Sequence, residues 1–413
     1  MMLPKYWVSL AFIGWALSSP CFANAPTLRP LIEKTLETHS DILAIQAQKN
    51  AFLKLADQSQ IGSNPEIELG VGQKRDSVTS GLTFETTLKQ TLLYPGKSDS
   101  KKTLALSEVG IKDSELDGVK ARLVFDIEVN AYRWQYSIQK RDINQKRIQK
   151  LSWMKDYLAS RPFASPQKKL ELRLIESHVK NNALDGIQLG AQVEANRVQL
   201  KTLIAEHVTE TIRLPIVPFD LKKITARHSD LVLQNPEIRA IDAKIKQIDL
   251  ETRVLEIDAN PNFDISGRYA SESASGTDQF LSIGFGMELP LSNKNRMALV
   301  AQTHKKEALE QQRTQLIKEK KSQWQAAVIA INRSEEILQI YTPAWVTQLE
   351  TSLDHAINGF KKGQTDLLMV LELESQWIAA SDTQTDAKLE WVTAVCTLHQ
   401  LLGDTQPIGA YQQ

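Results

Sequence analysis

Seven histidines and two cysteines are the side chains from which a metal centre or a nucleophilic site would first be built. His39, His178, His207, His228, His304, His355 and His399 are scattered. No two stand three or four residues apart and none is adjacent to a cysteine, so no helix face offers a pair of histidine ligands. The run Pro95-Gly96-Lys97-Ser98 has the end of a phosphate-binding loop, but Thr91 occupies the position where that loop needs its first glycine, and a strand-to-helix turn is the simpler reading. No nucleophile with an adjacent base is legible, so neither an enzyme nor a cofactor is expected. Asp366 follows Gly363 and Thr365 at a helix start, where an acid accepts backbone N–H groups, and capping is its default role. Glu372, beside Leu371 and Leu373, has the default reading of a solvated or interhelix ion pair.

The bulk numbers narrow the partners. Lys plus Arg and Asp plus Glu are both 49, so the formal charge is zero, which argues against nucleic acid or another polyanion. Residues 1–25 carry a basic start at Lys5, an apolar stretch from Trp7 to Leu17 and small residues at Ala23-Asn24-Ala25, the pattern of a secretory leader. Cleavage after Ala23 is an alternative, because Pro26 would sit awkwardly after the later cut. Acylation at Cys21 is disfavoured by Pro20 before it and by Ser18 where leucine is usual. With Cys21 in the leader, Cys396 has no intrachain partner. Beyond the leader, no stretch approaches the roughly 20 apolar residues of a spanning helix, so any membrane crossing must use strands.

The elements repeat. A shift of 196 lays Ile42, Ala44 and Ile45 on Ile238, Ala240 and Ile241, and Asn64-Pro65 on Asn260-Pro261. The chain reads as a tandem duplication, residues 26–223 and 224–413. Each half predicts a helix (28–62 and 224–259), two strands, a very long helix (98–159 and 294–359) and a further helix (166–206 and 364–402). Pro343 is expected to kink or break the second long helix. Along the first, Leu116, Val119, Leu123, Ile127, Ala131, Trp134 and Ile138 make a narrow apolar seam, with Arg133, Lys140, Arg141 and Lys146 off it. At 1.5 Å per residue such a helix would be roughly 90 Å long and needs neighbours of similar length. Seams at Leu189, Val193, Leu200 and Ile204, and at Trp391, Val395, Leu398 and Leu402, suit antiparallel coiled-coil packing.

The strands alternate strictly. Ile67, Leu69 and Val71 oppose Glu66, Glu68 and Gly70; Leu82, Phe84 and Leu88 oppose Thr83, Glu85, Thr87 and Lys89. In the second half Phe263, Ile265 and Tyr269 oppose Asp264, Ser266 and Arg268, and Leu281, Ile283, Phe285 and Met287 oppose Ser282, Gly284, Gly286 and Glu288. Polar turns after the first and third strands make two hairpins. A soluble sheet with one solvated face shows the same alternation. Transmembrane barrel strands of roughly 9–11 residues show it too, with Leu69, Phe84, Ile265, Ile283 and Phe285 toward lipid. Four strands are too few to close a membrane barrel, and open edges are not tolerated in lipid, so the barrel reading requires sharing between chains; three copies giving twelve strands is the simplest answer.

Taken together, residues 28 to 404 resemble the TolC family of outer-membrane efflux proteins. The resemblance rests on the duplicated plan, the proline at each strand entrance, the turns PFASPQKKLELRLIES and FKKGQTDLLMVLELESQW, the transitions LKQTLLYPGKSDSK and GMELPLSNKNRM, and the closing AVCTLHQLLGD. The short chain and the PFASPQK turn further resemble the CzcC-type heavy-metal cation efflux branch. The resemblance implies a mainly helical fold with four transmembrane strands per chain, a homotrimer with a twelve-stranded barrel in outer-membrane lipid, and a helical tunnel through the periplasm. It implies a periplasmic adaptor and an inner-membrane pump of the RND type as partners, with the turn residues Pro162, Ser165, Gly363 and Gln364 at the adaptor contact. The family's tip gate is commonly ringed by acids at positions matching Met369 and Glu372; Met369 breaks that pair, leaving Glu372, with Asp366 as a substitute. His39-Ser40 stands where the second half has Asn235-Pro236, a change at a helix start. The implied function is passive efflux of small solutes, heavy-metal cations first. A multidrug or type I protein secretion duct would use the same plan, and a soluble periplasmic coiled-coil adaptor would instead cover its strand faces with protein.

Overall fold

The computed structural model describes residues 28–75, 80–160, 165–204, 229–273, 278–287 and 295–405. The leader with Cys21 lies outside the described residues, as do Pro162, His207 and His228. The first half contains α1 (Leu28–Thr38), α2 (Ser40–Gln58), β1 (Glu66–Arg75), β2 (Ser80–Leu92), α3 (Lys97–Ala159) and α4 (Pro166–Ile204). The second contains a 3-10 turn (Ser229–Gln234), α5 (Pro236–Asp258), β3 (Phe263–Glu272), β4 (Asp278–Met287), α6 (Arg296–Ile340), α7 (Pro343–Lys361) and α8 (Leu367–Leu402).

The helix expected over 28–62 is two helices, because His39 leaves the helical region at φ −66°, ψ 130° and caps α2, its Nδ1 accepting the Asp41 N–H at 3.3 Å. Asn235, 196 residues later, does the same at φ −54°, ψ 132°, its Oδ1 accepting the Glu237 N–H at 3.0 Å ahead of Pro236 at the first helical position. His39 and Asn235 thus serve one role, each capping the helix that follows it. At Pro343 the second long helix is broken outright: Thr342 is extended and its Oγ1 accepts the Trp345 N–H at 3.2 Å. The buried Gln384 side chain donates to the freed Tyr341 carbonyl at 2.8 Å, satisfying a group that the break orphans.

Helix α3, 63 residues and so about 95 Å long, is the axis of the chain. Its expected narrow seam is a correction: Ile127, Glu128 and Val129 are buried in succession, as are Ala131 and Tyr132, because α2, α4, α5 and α8 pack against different faces of it. Two apolar cores run along its length. One joins Ile32 and Ile42 to Ile127, Trp134, Leu200, Ile331, Val395 and Leu398; the other joins Leu151, Met154 and Ile175 to Leu353, Val370 and Trp377.

The four strands form one antiparallel sheet in the order β1-β2-β3-β4. The β2–β3 ladder, from Thr83 opposite Glu272 to Leu92 opposite Phe263, joins the two repeats, while β1 and β4 are its edges. Lys97 staples the sheet to the helices. Its buried Nζ donates to the carbonyls of Asn260 at 2.6 Å and Asp258 at 3.4 Å and to Asn262 Oδ1 at 2.9 Å, while Gly96 takes φ 90° before it. Every donor position of this lysine is thus turned to one strand-to-helix junction. Among the described residues no helix is long and apolar enough to cross a membrane.

Candidate functional site

Two regions carry the candidate residues, the sheet and the α7–α8 turn at the opposite end of the helices. In the sheet the register sorts side chains onto faces, since cross-strand partners share a face. Ile67 stands opposite Leu88, Val71 opposite Phe84, Ile265 opposite Phe285 and Tyr269 opposite Leu281, collecting the apolar positions of all four strands on one side. That side is bare. Leu69 is 68 % exposed, Phe84 45 %, Ile265 39 %, Ile283 74 % and Phe285 82 %. The polar side is the better covered of the two: Arg268 grips Glu85 at 2.5 Å, Lys89 reaches Asp264 at 3.3 Å, and the Thr91 hydroxyl donates to Asp264 at 2.7 Å. A contiguous apolar face of this size, with no protein layer over it among the described residues, is the inverse of a soluble sheet and suits lipid. Phe280 is the exception to the alternation, since the register puts it opposite Ala270 on the polar side.

The α7–α8 turn is tightly built. The Gln364 N–H donates to the Gly359 carbonyl at 2.9 Å and the Gly363 N–H to the Phe360 carbonyl at 3.1 Å, with Gly363 at φ 72°, a Schellman closure. A side chain at Gly359 would meet the Thr365 hydroxyl at 2.4 Å, so this glycine lets the turn fold back on its own helix. Asp366 then caps α8, its carboxylate accepting the Met369 N–H at 2.7 Å. The capping role read from the sequence is the one the geometry gives it. Asp366→Ala should therefore lower the stability of the α8 start by about 1 kcal/mol, and Asp366→Asn should restore it, in thermal unfolding followed by circular dichroism.

Leu368, Met369 and Glu372 are exposed on the first turns of α8, and Glu372 accepts from Gln376 at 2.8 Å. Met369 and Glu372 thus share a face that nothing among the described residues covers. Ser165 is half-buried directly before Pro166, the first residue of α4. The turn is held to α3 by contacts that no sequence pattern signals. Tyr157 donates its hydroxyl to the Lys361 carbonyl at 2.7 Å and meets Phe360 edge-on, and the Lys361 ammonium lies 3.8 Å from the centre of the Trp153 ring. One turn further in, Lys150 pairs with Asp354, and Arg147 pairs with the buried Glu374 while reaching Asp185 at 3.8 Å. The Lys150 and Arg147 pairs with α7 and α8 join residues more than 200 apart in sequence, which is why local spacing is silent about them.

Metal and nucleophilic chemistry find little to use. Among the described residues no group of three His, Cys, Asp or Glu side chains could hold an ion. His39 is a cap, His304 sits 3.1 Å from Glu307 and His399 3.3 Å from Asp404. Cys396 is buried with its Sγ 3.7 Å from Glu128, and burial, reinforced by that carboxylate, pushes its thiol well above the ordinary range, leaving it unreactive. A cleft of about 290 Å³ between α3, α4 and α8 is lined by Lys140, Arg147, Asp185 and Asp382 among others. Two cations and two acids balance there. Burial raises the Asp382 carboxyl, against the pull of Lys140.

Residues 228–404 match the family model for the outer membrane efflux protein. A comparison with curated proteins returns no match. Among solved structures, the chain is similar to the outer-membrane channel OprN, with a TM-score of 0.73 at 16 % identity over 91 % of this chain and 89 % of that one. It is similar to the open state of the MtrE outer membrane channel of Neisseria gonorrhoeae, with a TM-score of 0.75 at 14 % identity over 92 % and 90 %. The CmeC outer membrane channel of Campylobacter jejuni gives 0.71 at 13 % identity over 98 % and 94 %. At these identities the likeness is one of fold, and it runs through both repeats.

Proposed function

We infer that this chain, a member of the outer membrane efflux protein family, is a passive outer-membrane channel in which three copies share one twelve-stranded barrel and a helical tunnel reaches into the periplasm. The observation that carries the reading is the inverted sheet: an apolar face bare on every strand, a polar face laced by Arg268–Glu85 and Lys89–Asp264, and two edges left unpaired. In lipid each unpaired backbone group costs several kcal/mol, so the edges demand partners, and another copy supplies them without new chemistry. A soluble adaptor would need a layer over Leu69, Ile283 and Phe285, which is why that alternative is the weaker one.

On this reading the energy for export comes from elsewhere: the fragment resembling a nucleotide loop has its Lys97 committed to the Asn260 and Asp258 carbonyls and to the Asn262 side chain. We assign the drive to an inner-membrane pump of the RND type and the coupling to a periplasmic adaptor that grips the helix turns at Gly363, Gln364 and Ser165. On the same reading, Met369 and Glu372 line the tunnel mouth, with Asp366 fixing the turn behind them. The cargo we assign is heavy-metal cations, on the short chain and the PFASPQK turn. The test combines location and mass. Membranes from expressing cells, extracted in mild detergent and sized by light scattering corrected for detergent, should yield an outer-membrane species of three chains; a soluble periplasmic monomer would overturn the channel. Cells lacking the chain should lose tolerance to heavy-metal salts while keeping tolerance to dyes and detergents, and the opposite pattern would assign the cargo to drugs.

A further inference from the structure

We propose that the cleft between α3, α4 and α8 is a binding site for a short aliphatic diamine, held by the Asp382 carboxylate and the Asn144 side-chain carbonyl. The site lies within one chain and is independent of the shared barrel.

Three helix faces make it. Lys140, Asn144 and Arg147 recur at steps of four and three on α3, Asp185, Leu189 and Gln192 do so on α4, and Ile378 and Asp382 stand four apart on α8, so each set projects from one side of its helix into the same cleft of about 290 Å³. The two bases on its walls balance the two acids only until their other partners are counted. Lys140 donates to Asp386 at 2.7 Å, and Arg147 pairs with the buried Glu374 while Asp185 stands 3.8 Å from it. Asp382 is the acid left over. Half-buried, it has no ion pair or hydrogen bond among the described residues. Burial raises its carboxyl, with Asp386 and Asp185 adding to the rise and Lys140 and Arg147 opposing it, as for an acid short of a cation.

Asn144 points to the same ligand independently. It is 6 % exposed, and its Nδ2 donates to the Asn182 carbonyl at 3.0 Å. Gly186 leaves room for that contact, since a side-chain carbon there would come within 3.1 Å of the nitrogen. The donation fixes the orientation of the amide, so Oδ1 is the atom left for the cleft, and it accepts nothing among the described residues. An ammonium group brings three donors and a positive charge, which answers the carbonyl and the carboxylate together. A metal ion is the poorer fit, because among the described residues no three His, Cys, Asp or Glu side chains are placed to hold one. Ile143, Leu189 and Ile378 line the rest of the cleft and suit a run of methylenes, and Asp185, met only loosely by Arg147, gives a second ammonium its partner. The volume corresponds to roughly ten waters, room for a short diamine. Bound there, it ties α8 to α3 and α4.

The experiment is calorimetric titration of putrescine into the full chain, purified in mild detergent. At neutral pH binding should be saturable, with one putrescine per chain. Asp382→Asn should weaken it about tenfold or more, the effect of removing one charge-assisted hydrogen bond. Wild-type affinity should fall as the pH is lowered through the raised Asp382 range, because protonation removes the charge that the ammonium meets, and this fall should be absent from Asp382→Asn. Gln188→Lys, at an exposed position on the cleft wall, supplies a tethered ammonium; it should exclude putrescine and raise the melting temperature of the helical signal. Asp156→Asn, at an exposed acid of α3 outside the cleft, should bind as the wild type does. No saturable binding, equal affinity in Asp382→Asn, uptake of putrescine by Gln188→Lys at wild-type strength, loss of binding in Asp156→Asn, or binding of succinate in place of putrescine would each overturn the site.

Discussion

Arginine in place of Phe285 should abolish the membrane-assembled form of the protein. Phe285 is the most exposed large apolar side chain of the sheet and sits on β4 opposite Ile265. On a lipid-facing strand a basic side chain costs up to about 2–4 kcal/mol, less toward the interface, and the shared barrel would bear that cost three times. Summed over three copies, even part of that cost is a large fraction of the stability of an ordinary domain. The comparison that isolates the face, rather than the charge, uses neighbours: Ile283→Asp should also impair assembly, whereas Ser282→Asp, one residue away on the polar side and opposite Arg268, should be tolerated. Membrane content of the three variants, together with the yield of detergent-extracted trimer, reads the difference. Equal behaviour of Ile283→Asp and Ser282→Asp would remove the lipid-facing assignment.

The second large effect lies in the helices. Glu374 is 2 % exposed and its compensating charge is Arg147 from α3. Arg147→Met should strand a buried carboxylate and cost about 3–5 kcal/mol, seen as a large fall in the melting temperature of the helical signal. Removing both charges, Arg147→Met with Glu374→Leu, should recover most of the loss, because a buried ion pair is worth little more than apolar packing of similar volume. A double variant as unstable as the single one would show that the pair matters for its geometry and not for charge compensation.

How legible each feature is in the sequence depends on how local its signal is. Strand faces need only period two, and the apolar positions Leu69, Phe84, Ile265, Ile283 and Phe285 fall together on one face of the sheet. The cap at Asp366, the turn at Gly363 and the break at Pro343 are also local, each fixed by one residue's backbone preferences. The split at His39 escapes such reasoning because histidine is an uncommon cap and the apolar spacing runs on through it; the aligned Asn235 is the available clue. The breadth of burial around α3 escapes it too, because a stripe records only the strongest contact, whereas small and polar residues such as Ala131 and Glu128 close the other faces. The tethers of Arg147, Lys150 and Tyr157 join residues more than 200 apart, beyond any periodicity. The role proposed above for the exposed α8 residues Met369 and Glu372 lies between chains, which one chain's sequence does not encode in its spacing.

The two open edges of the sheet bear on how the protein is made. A solitary copy has no stable resting place: water is a poor solvent for its bare face, and the bilayer is a poor solvent for the unpaired backbone of β1 and β4. On the shared-barrel proposal, insertion and association are a single event, whose rate climbs steeply with the number of copies in transit. Newly exported chains would depend on chaperones to keep edges apart until enough of them meet, and at low dosage they would fall to proteases instead. Expression level thus becomes a determinant of assembly, set by the same strands that would line the pore.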